Sequence, residues 1–172
     1  MPSKIKKVIM LAGAVILFLL LSALSMFYFR PSWFVNFYVS EGNESIRAKI
    51  APFYFSVNIA NTSSGPENIQ WSLDKKHVAF FNLDPDWANN SDELSLNVID
   101  ARTFRVKTIF IGDYRTSHYR WINNSIIRVY VDAGTDVRIY RDLSINSNMP
   151  FSALSHASPE YWTPQAWYDY DD

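Results

Sequence analysis

The chain has no cysteine, only five glycines and three histidines, and a formal charge of just −1. Lack of cysteine excludes structural disulfides, a thiolate nucleophile, Cys-ligated zinc or iron–sulfur, covalent c-type haem and a lipoprotein anchor. Few glycines go with the absence of a Walker loop and of the dinucleotide-binding pattern, and neither G-x-S-x-G nor H-E-x-x-H occurs. His77, His118 and His156 lie ~40 residues apart, which is no metal-ligand spacing. His77 falls in an expected turn, where an exposed side chain is the ordinary outcome. The reading is therefore of a protein that is not an enzyme and has no cofactor or metal.

What is present is apolar and aromatic: 48% of residues are hydrophobic and 16% aromatic. From Val8 to Phe29 the chain reads VIMLAGAVILFLLLSALSMFYF, without a charge or a proline. At about 1.5 Å per residue this covers the roughly 30 Å hydrocarbon core of a bilayer. The run exceeds the ~7–15 residues of a signal-peptide core and lacks a clear A-x-A site, so an uncleaved anchor is expected over a cleaved leader. Lys4, Lys6 and Lys7 precede it and only Arg30 follows closely, which places the N-terminus in the cytoplasm and the rest in a periplasmic or extracellular space. No G-x-x-x-G motif or intramembrane ionisable residue points to tight self-pairing or an ion path.

The near-zero charge is a sum of unlike blocks. Residues 1–30 carry +4, and the remainder, with 12 basic and 17 acidic side chains, carries −5. Within that remainder, residues 102–141 are basic, a pattern expected of a solvated β-face and not of a nucleic-acid site.

Beyond the apolar run, Trp33, Phe34, Phe37 and Tyr38 are expected at the membrane interface, where an apolar ring with a polar handle is favoured. Their i, i+1, i+4, i+5 spacing fits one side of a short helix on the outer leaflet. The start of a soluble core, or docking on another membrane protein, are the alternatives.

From Ile46 onward the period is two. Runs at 53–59, 78–81, 94–98, 106–111, 126–131 and 137–140 alternate or are apolar, with turn residues between them. The expectation is an all-β domain. The organisation reads as a basic tail (1–7), a transmembrane helix (8–30), an interfacial segment (31–45), the β domain (46–145) and a C-terminal tail (146–172).

Laying Trp71 on Trp121, 50 positions later, reveals a repeated order of Trp, polar turn and apolar strand. Residues 71–80 read WSLDKKHVAF and 93–100 read ELSLNVID. This resembles the W-S-P-D-G-K-x-I-A-F … L-Y-V-x-D blade of TolB-like propellers, and is similar to the propeller of dipeptidyl-peptidase-like serine peptidases. Leu73 and Lys75 stand where the family has Pro and Gly, and 102–104 lacks the next turn's usual Gly. The resemblance, over 69–143, implies about two propeller blades. A closed propeller needs at least about four, so open edges and a partner are implied. The peptidase's hydrolase domain has no counterpart, and no catalytic residue carries over. A small β-sandwich of the immunoglobulin type is the competing architecture.

The tail has three prolines and no Lys or Arg, and ends in alternating aromatics and acids. Trp162, Trp167 and Tyr168 are expected to bind a partner or the chain's own domain, because so much aromatic surface is costly in water. Trp87 is a further contact candidate, at the tip of the oxygen-rich loop 84–93, which fails the calcium-binding EF-hand template. Asn43, Asn61, Asn89 and Asn123 head N-x-S sequons that would carry glycans only in a eukaryotic secretory setting.

The functional expectation is a single-pass, non-catalytic binding or accessory subunit acting at the outer face of a larger membrane complex. Its partners would be the bilayer and other integral membrane subunits, with a homo-oligomer also open and nucleic acid excluded. The alternatives are an envelope sensor or enzyme remnant derived from a propeller, and a truncated product with no independent function.

Overall fold

The computed structural model describes residues 3–40, 42, 45–52, 55–61, 66–86, 91–113, 116–132, 138–152 and 168–169. Helix α1 spans Ser3–Phe29, and its stretch Val8–Phe29 is long and apolar enough to cross a membrane. Its apolar side chains are exposed on every side, the signature of a helix made for an apolar surrounding. The Ser22 hydroxyl donates to the Phe18 carbonyl at 2.8 Å, so this polar group is satisfied within the helix. Arg30 then leads into a 3-10 turn, Pro31–Trp33, opened by a proline that has no N–H to leave unsatisfied.

The strands form three mainly antiparallel sheets. The first is β1 (Val35–Val39), β2 (Ser45–Ile50) and β3 (Phe55–Asn61). The second is the meander β4 (Pro66–Trp71), β5 (His77–Asp86), β6 (Ser91–Asp100) and β7 (Val106–Asp113). The third is β8 (Thr116–Trp121), β9 (Ile126–Asp132) and β10 (Arg138–Ser144). Two short strands extend the edges: β11 (Phe151–Ser152) runs parallel to β7, and β12 (Tyr168–Asp169) antiparallel to β10. The described sheets close into no barrel; they stack.

Alternation along β5 makes the stack possible. Val78 and Phe80 point to one side, where with Ile99 and Ala101 they meet Val35, Phe37, Ile46 and Ala48 of the first sheet. Ala79 and Phe81 point to the other, where with Leu96, Ile109 and Phe110 they meet Tyr119, Ile127, Val129 and Leu143. The middle sheet is therefore buried on both faces, and the domain has two cores.

The turns repeat with the sheets. Ser72 Oγ accepts from the backbone N–H of Lys76 (3.2 Å) and His77 (3.0 Å) and donates to Asp74 (2.8 Å). In the next sheet Asn123 Oδ1 accepts from the N–H of Ser125 and Ile126, both at 2.9 Å. Each closes a turn after a tryptophan with a short polar side chain. Lys75 has φ +60° and Phe104 φ +58°, so both departures from glycine noted above fall where the backbone is left-handed. Lys75→Gly should raise stability by up to about 1 kcal/mol. A lower thermal midpoint for the full chain in mild detergent would contradict this.

Two local expectations change. Residues 35–39 form strand β1 instead of continuing a helix, because pairing Val35 with Ile50 and Phe37 with Ala48 buries their side chains. His77 opens β5 half-buried under Trp121, with ring centroids 6.4 Å apart, and is no exposed turn residue.

Candidate functional site

The junction between α1 and the β domain is built from aromatic and arginine side chains. Phe27, the last half-buried residue of the helix, meets Phe34 edge-on at 6.2 Å and packs against the first core. Behind it, the Arg102 guanidinium lies 5.1 Å over the Tyr28 ring. Arg102 is itself held by Asp100, at 2.8 Å and 3.2 Å, and Asp100 also accepts the backbone N–H of Arg102 at 2.8 Å. Burial by itself would raise the Asp100 pKa. The Arg102 side-chain and backbone hydrogen bonds outweigh it and hold the carboxyl below its ordinary value. The turn after β6 is thus fixed against the end of the helix.

The expected interface residues divide here. Trp33 is exposed, with Arg30 6.0 Å from its ring, and Phe34 and Tyr38 are half-buried. Phe37 is core, 8% exposed, meeting Trp71 at 5.4 Å and Phe104 at 6.2 Å. Trp87, Trp162 and Trp167 lie outside the described residues. Tyr168 lies in β12, paired with Tyr140. Sequence reading placed Phe27 in the aromatic belt but missed Arg102, for which the signal was an Asp-x-Arg turn after a strand.

A second cluster covers the outer face of the third sheet. His118 and Tyr130 stack at 4.2 Å, and Tyr130 stands 6.1 Å from Tyr140, a ladder across β8, β9 and β10. Arg120 lies 5.5 Å over Tyr130 and Arg128 3.9 Å over Tyr140, while Arg128 is bidentate to Asp142 at 2.6 Å and 2.9 Å. The outer face of the first sheet is also polar and basic, with Asn36 beside Lys49 and Tyr38 beside Arg47. Among the described residues no three His, Asp or Glu side chains converge as metal ligands.

The half-buried His77 gives the domain an acid-sensitive point. Its Nδ1 is buried without a hydrogen-bond partner, and burial lowers its pKa from 6.5 against the opposing pull of Asp100 and Asp74. The unfolded chain then takes up the proton first, so His77's destabilising contribution is absent well above pH 6.5 and grows as pH falls below it. His77→Gln should lose less thermal stability than the parent between about pH 7 and 5. Equal slopes for the two would refute this.

No protein-family model matches the chain, and neither the curated proteins nor the solved structures give a match.

Proposed function

We propose that the chain is a single-pass membrane protein, N-terminus in the cytoplasm, whose β domain is a non-catalytic binding or accessory subunit of a larger membrane complex at its outer face. The observation that carries this is a domain joined without a linker to a laterally exposed apolar helix, with arginines stacked over tyrosine rings on its last sheet, Arg120 over Tyr130 and Arg128 over Tyr140. Arginine and tyrosine are the residues that dominate protein interfaces. The outward faces of the first and third sheets both carry basic side chains, so stacking one copy's face on another's would oppose cations. That favours a different, acidic or aromatic partner over a homo-oligomer.

The propeller-like arrangement belongs to the same proposal. Trp71 and Trp121 each end the first strand of a meander and pack back on the sheet before: Trp71 on Phe37, and Trp121 by donating Nε1–H to the Gln70 carbonyl at 3.3 Å. Equivalent roles at a fixed spacing support a blade-like repeat.

Mild solubilisation of the native membrane followed by native electrophoresis tests the reading. The chain should migrate with a second integral membrane protein, and Arg120→Glu should reduce the association. Migration as a lone monomer would overturn it.

A further inference from the structure

Outside α1, the exposed large apolar side chains among the described residues are Trp33, Phe55, Leu73, Val106, Ile122 and Met149. All six fall at one end of the sheet stack. Trp33 precedes β1, Phe55 and Val106 open β3 and β7, Leu73 and Ile122 sit in the turns after β4 and β8, and Met149 follows β10. These strand ends are neighbours in space. The Ala101 N–H donates to the Lys76 carbonyl (2.9 Å), the Ile145 N–H to the Ser125 carbonyl (3.0 Å), and Lys107 Nζ to the Ile145 carbonyl (2.9 Å). Arg102 ties the same end to Tyr28 of the helix. At the opposite end the strands terminate in Asp86, Ser91, Asp113, Thr116 and Asp132.

A domain that placed apolar tips at random would not gather them on one end, and water gives no reason to. Leu73 is 66% exposed, Trp33 66% and Met149 77%. The exposed cations Arg30, Lys75 and Arg105 stand among them. The acids there are already engaged, Asp74 with Ser72 and Asp100 with Arg102. Apolar tips ringed by uncompensated cations suit the boundary between acyl chains and phosphate headgroups. The chain leaves no room to lift this end away: Arg30 alone separates α1 from the 3-10 turn, and β1 begins two residues after Trp33.

We propose that this end of the domain is a second membrane-binding surface, resting on the outer leaflet with Leu73, Ile122 and Met149 inserted at headgroup depth. The inference rests on the reading of α1 as a membrane anchor. It makes the domain lie against the bilayer with its strands upright.

The absence of native cysteine makes the test direct. The full chain carrying one fluorophore-labelled cysteine, at Leu73→Cys, Ile122→Cys, Met149→Cys, Asn61→Cys or Leu17→Cys, is reconstituted alone in phosphatidylcholine–phosphatidylglycerol vesicles. Quenching is read with lipids bearing a nitroxide at shallow or deep positions. Shallow quenching at 73, 122 and 149 should exceed that at 61, on the opposite end, by about twofold or more, with Leu17 quenched by the deep probe. If Leu17 is quenched and the three tips match Asn61, the surface proposal is overturned and the anchor stands. If Leu17 is not quenched, the anchor reading fails and this proposal with it.

Discussion

Phe80→Ala should cost the domain about 3–5 kcal/mol, and Phe110→Ala a similar amount. Phe80 is 1% exposed and packs toward the first sheet; Phe110 is fully buried and packs toward the third. Each truncation removes an aromatic ring from a different core, and the surrounding sheets cannot close the gap without shifting their hydrogen-bonded strands. Against a total stability of about 5–15 kcal/mol, either change alone brings the domain near its unfolding threshold. Denaturant unfolding of the full chain in mild detergent, followed by tryptophan fluorescence, measures both. The pair is diagnostic of the layering. In a two-layer domain the middle sheet would have one solvent face, and one of the two substitutions would cost less than about 0.5 kcal/mol. That result would refute the double burial.

The same double burial explains what could be read from the sequence and what could not. The helix was legible because an uninterrupted apolar run is a one-dimensional signal that needs no partner. So were β3, β5, β6, β7, β9 and β10, whose apolar residues alternate or run together. Strand β1 was not. Over residues as few as 33–38, a spacing of i, i+1, i+4, i+5 fits a helix, while burial of Val35 and Phe37 alone fits a strand, and the decision came from pairing with β2, which is non-local. Strands β4 and β8 were passed over because they are polar, reading PENIQW and TSHYRW. Each nonetheless carries a two-residue alternation, Ile69 with Trp71 and Tyr119 with Trp121, and those pairs were the available signal. The gathering of exposed apolar tips was illegible in principle. Leu73, Ile122 and Met149 are isolated apolar residues in polar turns, and only the stacking of three sheets brings them to one end.

Tyr119→Phe should cost about 1–3 kcal/mol although the ring is kept. Tyr119 lies on β8 and is 2% exposed, and its hydroxyl reaches across the interface between sheets to the carbonyl of Ala79, at 2.6 Å, and to that of Asn68. The second partner explains why a hydroxyl is needed there. The pairing of β4 with β5 jumps from Glu67 to Gln70, and Asn68, in that irregularity, has φ +56° and lies outside the ladder. Its carbonyl has lost its place in the sheet, and the tyrosine of the next sheet supplies a donor. Burial accordingly pushes the phenol well above its ordinary pKa, so it remains a donor at neutral pH. Phenylalanine would keep the edge-on contact with Phe81 at 4.9 Å and remove only the donor. The loss should therefore appear as a lower denaturation midpoint with an unchanged slope, because the surface buried on folding is the same. A midpoint equal to the parent's would mean that Asn68 does not depend on Tyr119. The second and third sheets would then be held together by apolar packing, the Trp121 hydrogen bond to Gln70 and that of Lys107 to Ile145.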